Sequence, residues 1–329
     1  MNERLAKLRR LMEERHMDAY LIPTSDFHES EYVGEYFKCR RFITGFTGSA
    51  GTAVVTAKEA GLWTDGRYFV QAAGELAGSG FALQKMDEEG VPTVEEYLAK
   101  VMPQGGVLGF DGRVVNSQLG EAIREKLENK NVTLSCEEDL VGKIWEDRPE
   151  MSMEPVWILD EKYAGQPAAE KIAGLRKDMK EARATVHVLT TLDDIVWLLN
   201  IRGNDIPFNP VVLSYVAVTE KDLYLFIHEK TLNGQVREYL EGLKVTVRPY
   251  EEIYGFVKSL RGERVLLESS RVNFSIKNSL DKSNKIIDRM NPTVMAKAVK
   301  NPVEIENERR AHIKDGVAMT KFIYWLKKN

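Results

Sequence analysis

The sequence predicts an α/β protein built as two units of one kind. Three observations carry this. First, β-branched runs alternate with helical periodicities from residue 3 to about 145. Second, "EDRPEMSMEPVW", 146–157, carries two prolines, breaks all periodicity and reads as a linker. Third, the second half repeats the first. "SAGTAVVTAKEAGLWTD" and "FNPVVLSYVAVTEKDLYLF" each have a Gly or Pro entry, a β-branched strand ending in Thr, a charged turn and a second, aromatic-containing strand.

The elements follow in order. Leu5, Leu8, Leu11 and Met12 recur at helical spacing, so 3–16 is a surface helix. "DAYLIP" (18–23) is a buried strand, and a polar segment leads to a strand-like "FITGF" (42–46). "TAVVT" (52–56) and Leu62–Thr64 are strands, with a helix from about Arg67. Thr93 is placed to cap a helix over 93–102. "GVLGFD" and "VTLSC" are strands around the helix "NSQLGEAIREKLENK". In the second half, 168–184 is a long helix with Ile172, Leu175 and Met179 on one face. "TVHVLTTL", residues 244–250 and "RVLLE" are strands, and 250–260 is a helix. The last segment starts with Asn301 as N-cap and Pro302 at the first helical position. Ile313, Val317, Phe322, Tyr324, Trp325 and Leu326 give it an apolar stripe that needs something to pack on.

The chain has 329 residues, 43% apolar, with a net charge of −4, which gives no reason to expect nucleic acid as a partner. No apolar run reaches membrane-spanning length. Cys39 and Cys136 stand far apart without a Cys-x-x-Cys, so neither a disulfide framework nor a structural zinc is expected. The amphipathic N-terminus is no signal peptide, and the expected compartment is the cytoplasm.

Few residues point to chemistry. "GFTGSAG" (45–51) has three glycines, but it lacks both the dinucleotide and the Walker spacing and runs into a strand, so it presents no helix dipole. It is expected to be a structural turn. Asp26, His28, Glu29 and Glu31 offer oxygen and imidazole ligands within six residues, as a solvated loop of that composition also does. "TDGRYF" (64–69) places Arg67 to present a fork to a carboxylate, either a ligand's or that of a neighbouring acid. "WLLNIRGNDIPFNP" (197–210), with Arg202, Asn204 and Asp205, is expected at an interface. Cys136, beside Glu137 and Glu138, lacks the positive surroundings of a nucleophile, and there is no Gly-x-Ser-x-Gly.

Three stretches together resemble the three-domain Xaa-Pro aminopeptidases of the creatinase/prolidase type. "SDFHESEY" with "RRFITGFTGSAGTAVVT" and "LWTDGRYFVQA" is similar to their first domain. "WLLNIRGNDIPFNPVVLSYVAVT" is similar to the second, and "KNPVEIENERRAHIKDGVAMTKFIYWL" to the entry of the third. The resemblance implies two related creatinase N-terminal-like domains, each a mixed sheet flanked by helices, over 1–155 and 156–298. Residues 299–329 would begin a pita-bread catalytic domain. In the family that domain holds two metal ions, usually manganese, between two Asp, one His and two Glu, and a bridging hydroxide attacks the bond before a penultimate proline. Members are commonly cytoplasmic homodimers. None of those ligands maps onto a residue of this chain, so it is expected to hold no catalytic or metal residue and to be inactive alone. His28, Arg41 and Arg67 are expected to face the peptide substrate or a partner. The alternatives are a stand-alone binding or scaffold protein docking through its C-terminal helix, and a nucleotide-binding protein using the glycine turn.

Overall fold

The computed structural model describes residues 3–329. The first unit runs α1 (Glu3–Glu14), β1 (Ala19–Pro23), α2 (Cys39–Thr44), β2 (Thr52–Thr56), β3 (Ala60–Thr64), α3 (Phe69–Glu75), β4 (Ala82–Lys85), α4 (Val94–Val101), β5 (Val107–Phe110), α5 (Ser117–Leu127), β6 (Thr133–Ser135) and α6 (Leu140–Ile144). The second runs β7 (Trp157–Ile158), α7 (Glu161–Ala164), α8 (Ala168–Glu181), β8 (Val186–Leu189), α9 (Leu192–Leu198), β9 (Ile201–Arg202), β10 (Ser214–Thr219), β11 (Leu223–Ile227), α10 (Gly234–Gly242), β12 (Val245–Pro249), α11 (Glu252–Ser259), β13 (Arg264–Leu267), α12 (Phe274–Asn278), β14 (Lys285–Asp288) and α13 (Pro292–Ala298). A last helix, α14, spans Pro302–Lys328.

β7 and β9 form a small separate sheet, and the two six-stranded sheets have one topology. The first is ordered β4-β3-β2-β1-β5-β6 and the second β12-β11-β10-β8-β13-β14. In both, the central strand (β1 or β8) pairs antiparallel on one side and parallel on the other, and the outer pairs are parallel. The repeated hairpin shares its turn chemistry too. Thr56 Oγ1 accepts from Glu59 N at 3.0 Å, and Thr219 Oγ1 accepts from Asp222 N at 2.8 Å. Each Thr hydroxyl thus replaces a backbone partner at the tip, which is why both strands end in Thr.

Most expected elements form. Thr93 and Glu96 make a reciprocal capping box at α4, as Asn301 and Glu304 do at α14. "FITGF" is a correction: Phe42–Thr44 close the helix α2 instead of forming a strand. The local signal was its β-branched composition. What prevails is the stop at Gly45, held at φ +78°, and Thr44 Oγ1 bonding back to Arg40 O at 2.8 Å. The 146–157 segment is also no loose tether. Arg148 pairs with Asp139 at 2.6 Å and lies 3.7 Å over the Tyr36 ring, and Ser152 Oγ donates to Asp205 at 2.6 Å.

The units exchange core residues. Phe27 and Phe37 of the first unit bury into the apolar cluster of the second, while Phe274 of the second buries beside Phe110 and Trp63 of the first. Each buried Phe contributes on the order of 2 kcal/mol, so the seam is part of both cores. The backbone seals it symmetrically. Ser117 N donates to Val272 O at 2.9 Å and Phe274 N to Val115 O at 2.8 Å. One step on, Gln118 N donates to Ser269 O at 2.9 Å and Ser275 N to Gly112 O at 3.0 Å. Asn116 and Asn273 bridge at the centre and cap α5 and α12 respectively. This is an isologous contact of the kind two identical subunits make, within one chain. By contrast, α14 buries no residue. It is held at its start, where Asn301 Nδ2 donates to Ala164 O at 2.8 Å and Asn307 Nδ2 to Tyr163 O at 3.2 Å.

Candidate functional site

The residues expected to face a substrate lie around the C-terminal end of β1, and they do not share one surface. β1 ends at Pro23, and Thr24 N then donates to Gly51 O at 2.9 Å, which draws the glycine turn against the strand end. Gly48 must be glycine, since a Cβ there would stand 2.2 Å from the Phe46 ring. The turn enters β2 and not a helix, the geometry expected of a structural turn.

Between this turn and α2 lies a pocket of about 170 Å³, lined among others by Tyr32, Phe37, Arg40, Arg41, Gly48 and Ser49. Arg41 is exposed, and among the described residues no side chain bonds or pairs with its guanidinium. Arg67 is also largely exposed but is committed. Its Nε and Nη2 donate to Asp65 Oδ1 and Oδ2 at 2.8 and 2.9 Å, and its own N–H donates to Oδ1 at 3.1 Å. That fork holds the Asp65 carboxyl down at about 2. The Arg of this turn therefore serves a neighbouring acid.

His28 is elsewhere. It is 1% exposed, inside the seam, and both ring nitrogens are engaged. Nδ1 lies 2.8 Å from Thr190 O, so it carries the proton; Nε2, 2.6 Å from the Tyr250 hydroxyl, accepts. The ring packs 4.4 Å from Tyr215, and burial pushes its pKa down. The acidic cluster around it is largely engaged by neighbouring groups, although Asp26 Oδ2 is buried without a hydrogen-bond partner. Asp26 Oδ1 accepts from the amides of His28 and Ser30 at 2.9 and 3.0 Å, and Glu29 accepts from Ser25 at 3.0 Å. Among the described residues no group of three or more His, Cys, Asp or Glu is arranged to hold a metal ion. The donor set of the described residues does not fit a dinuclear centre.

A second cleft, about 360 Å³, opens along the seam between His28–Glu31 and residues of α9 and α13. There Lys297 pairs with Asp194 at 2.9 Å, and burial pushes the Asp194 carboxyl up. Asp205, from the loop expected at an interface, accepts from Ser152 Oγ, Glu154 N and Leu213 N at 2.6, 3.0 and 2.8 Å. Cys136 is inert, its thiol pushed up to about 11 by burial and by Glu137.

Sequence reasoning passed over Arg40, Arg113, Tyr215 and Tyr250. Arg113 was findable: Asp111-Gly-Arg113 repeats Asp65-Gly-Arg67 and makes the same fork, at 2.9 and 3.0 Å. The two tyrosines carry no local signal, because their partner lies some two hundred residues away in the chain.

Two sequence-family matches agree with this architecture. The Creatinase/Prolidase N-terminal domain matches residues 4–140 in one form and 147–304 in another. "Probable Xaa-Pro aminopeptidase P" of Talaromyces marneffei is 39% identical over 99% of this chain and 51% of its own length. That of Coccidioides posadasii is 41% identical over 99% of this chain and likewise 51% of its own. An X-prolyl aminopeptidase from Caenorhabditis elegans, described as a cytosolic enzyme with a di-nuclear active site, superposes with a TM-score of 0.93 at 34% identity. The superposition covers 99% of this chain and 56% of that one. The chain spans about half the length of the curated relatives it matches. It belongs to the creatinase/prolidase N-terminal domain family, with two such domains in succession as in the Xaa-Pro aminopeptidases.

Proposed function

We propose that this chain forms the non-catalytic N-terminal domains of an Xaa-Pro aminopeptidase, divided at 155/156 and 298/299. The observation that carries this is the superposition of 99% of the chain on the X-prolyl aminopeptidase at a TM-score of 0.93. In this reading the complete enzyme removes the N-terminal residue before proline from peptides. Its two divalent metals, manganese by family habit, sit in a catalytic domain carried on a longer polypeptide, which works as a cytoplasmic homodimer. The first domain helps shape the peptide site. Arg41, unpaired and exposed at a pocket, contacts the peptide or a partner, with Arg67 at its flank. His28 acts as a positioning residue: it fixes the segment leading to Arg41 against Thr190 and Tyr250. The chain alone is expected to release no residue from X-Pro peptides, and the longer gene product to do so only with divalent metal. If the longer product showed no such release, the reading would fail. If Arg41→Ala with Arg67→Ala left its kcat/KM unchanged, the peptide-facing role would fail alone.

One observation favours a second reading, a scaffold that docks a partner through α14. Phe322, Tyr324, Trp325 and Leu326 are each more than half exposed. A stable complex lost in Phe322→Ser with Trp325→Ser, in a protein without peptidase activity in any form, would support it.

A further inference from the structure

The pocket beside α2 contains a buried cation with no carboxylate in direct contact; Glu75 acts on it only from a distance. Arg40 is 4% exposed, yet among the described residues no carboxylate lies within 4 Å of its guanidinium. Its contacts are neutral. Nε donates to Thr24 Oγ1 at 2.9 Å, Nη1 to Phe46 O at 2.5 Å and Nη2 to Gly48 O. A guanidinium has five N–H groups, so one on each terminal nitrogen is left without an acceptor. Burying a charge that neutral groups alone satisfy is costly, and an anion at the remaining N–H groups relieves that cost. Burial pushes Arg40 down to about 10, against the opposing pull of the Glu75 charge and with a smaller push from Arg41; this is the same cost seen as an affinity for the proton.

The surroundings are arranged for a small anion. Arg41 brings a second, uncommitted guanidinium to the same pocket. Gly48 and Ser49 line it as well, and among the described residues no acceptor takes the backbone N–H of either. Successive free amides are a recurring anion-binding device. The lining has three cations, Lys38, Arg40 and Arg41, against one acid, Glu31, and Lys38 is already paired with Glu35. Tyr32, Val33 and Phe37 supply an apolar wall. About 170 Å³ admits a carboxylate with a small apolar body and excludes a nucleotide.

We infer that this pocket binds a carboxylate, the free C-terminus of a short peptide with an apolar last residue, through Arg40, Arg41 and the amides of Gly48 and Ser49. The inference rests on the pocket alone and stands whether or not the peptidase reading does.

The test uses the whole chain and two matched probes, N-acetyl-leucine and N-acetyl-leucinamide, followed through the Gly48 and Ser49 amide signals in a 1H–15N spectrum. The acid is expected to shift both signals saturably and the amide to leave them in place. Arg41→Gln, an exposed position, is expected to weaken the acid about tenfold, the loss of one charge-assisted contact. Because Arg40→Lys can fail to fold, Arg41→Gln carries the test. The amide of N-acetyl-glutamate carries its carboxylate on the side chain; weaker binding than N-acetyl-leucine is expected, and tighter binding would overturn the assignment to a C-terminus. No saturable shift with either acid, an equal shift with the leucinamide, or an unaltered affinity in Arg41→Gln would overturn the inference. So would inorganic phosphate binding where both acids fail.

Discussion

The Nε2 of His28 accepts a hydrogen bond from the Tyr250 hydroxyl at 2.6 Å, joining a loop of the first domain to the end of β12 in the second. The donor is fixed by elimination, because the other ring nitrogen faces the Thr190 carbonyl at 2.8 Å and must keep its proton. Tyr250 is 1% exposed, so Tyr250→Phe leaves the buried His28 acceptor unsatisfied and also removes the longer contact, 3.4 Å, to the Tyr215 hydroxyl. The expected cost is about 1–3 kcal/mol in urea unfolding. A loss below ~0.5 kcal/mol would mean that water reaches the ring and that the seam is not sealed there.

Two buried histidines make stability depend on pH. His187 is 0% exposed, its Nδ1 bonds Leu266 O at 3.0 Å, and burial pushes it down to about 4; His28 shifts in the same direction. The unfolded chain therefore binds protons that the folded chain refuses, so stability is full above about pH 6.5 and falls as pH drops towards 4. For His187 the loss is on the order of 3 kcal/mol across that window. Urea midpoints measured from pH 7.5 to 4.5 check the direction, and a flat profile would show that these rings protonate without unfolding.

Asp205 ties the linker to the second domain. Its carboxylate collects Ser152 Oγ, Glu154 N and Leu213 N, two of them from the linker. Asp205→Ala is expected to destabilise by about 2–4 kcal/mol, since charge-assisted bonds are lost and the buried Leu213 amide is orphaned. Limited proteolysis reads the location of the damage: cleavage within 148–155 should speed up first. Faster cleavage elsewhere, with that stretch still protected, would count against the pinning role.

The sequence made much of the sheet legible and little of the seam. "TAVVT" and "SYVAVT" read as strands because their residues are β-branched and bounded by turns, and their register depends on nothing distant. The edge strand Ala82–Lys85 stayed invisible: its four residues include a Gln and a Lys, and none is buried. "FITGF" misled because propensity is a weak prior and the glycine stop overrode it. Arg41 could be proposed from a family resemblance, but Arg40 could not be told apart from it. Adjacent arginines look alike until the fold buries one at 4% exposure and leaves the other in solvent. His28 was read as accessible for the same reason. What buries it is Thr190, Tyr215 and Tyr250, and their nearness is a consequence of topology.

The symmetric seam gives the sharpest packing test. Gly120 of α5 faces Phe274 so closely that an added Cβ would stand 2.1 Å from the ring. The ring cannot simply retreat, because it packs edge-on against Phe110 at 5.4 Å, and the adjoining Phe274 N–H is held by Val115 O. Gly120→Ala normally gains stability inside a helix, by roughly 1 kcal/mol. Here the clash is expected to outweigh that gain and destabilise by about 1–3 kcal/mol, as overpacking does. The pair Gly120→Ala with Phe274→Leu removes the ring edge and should recover part of the loss, so the two changes should not add. Additive losses would mean that the helix accommodates the methyl group without touching Phe274, and the close approach of the two domains at this point would be refuted.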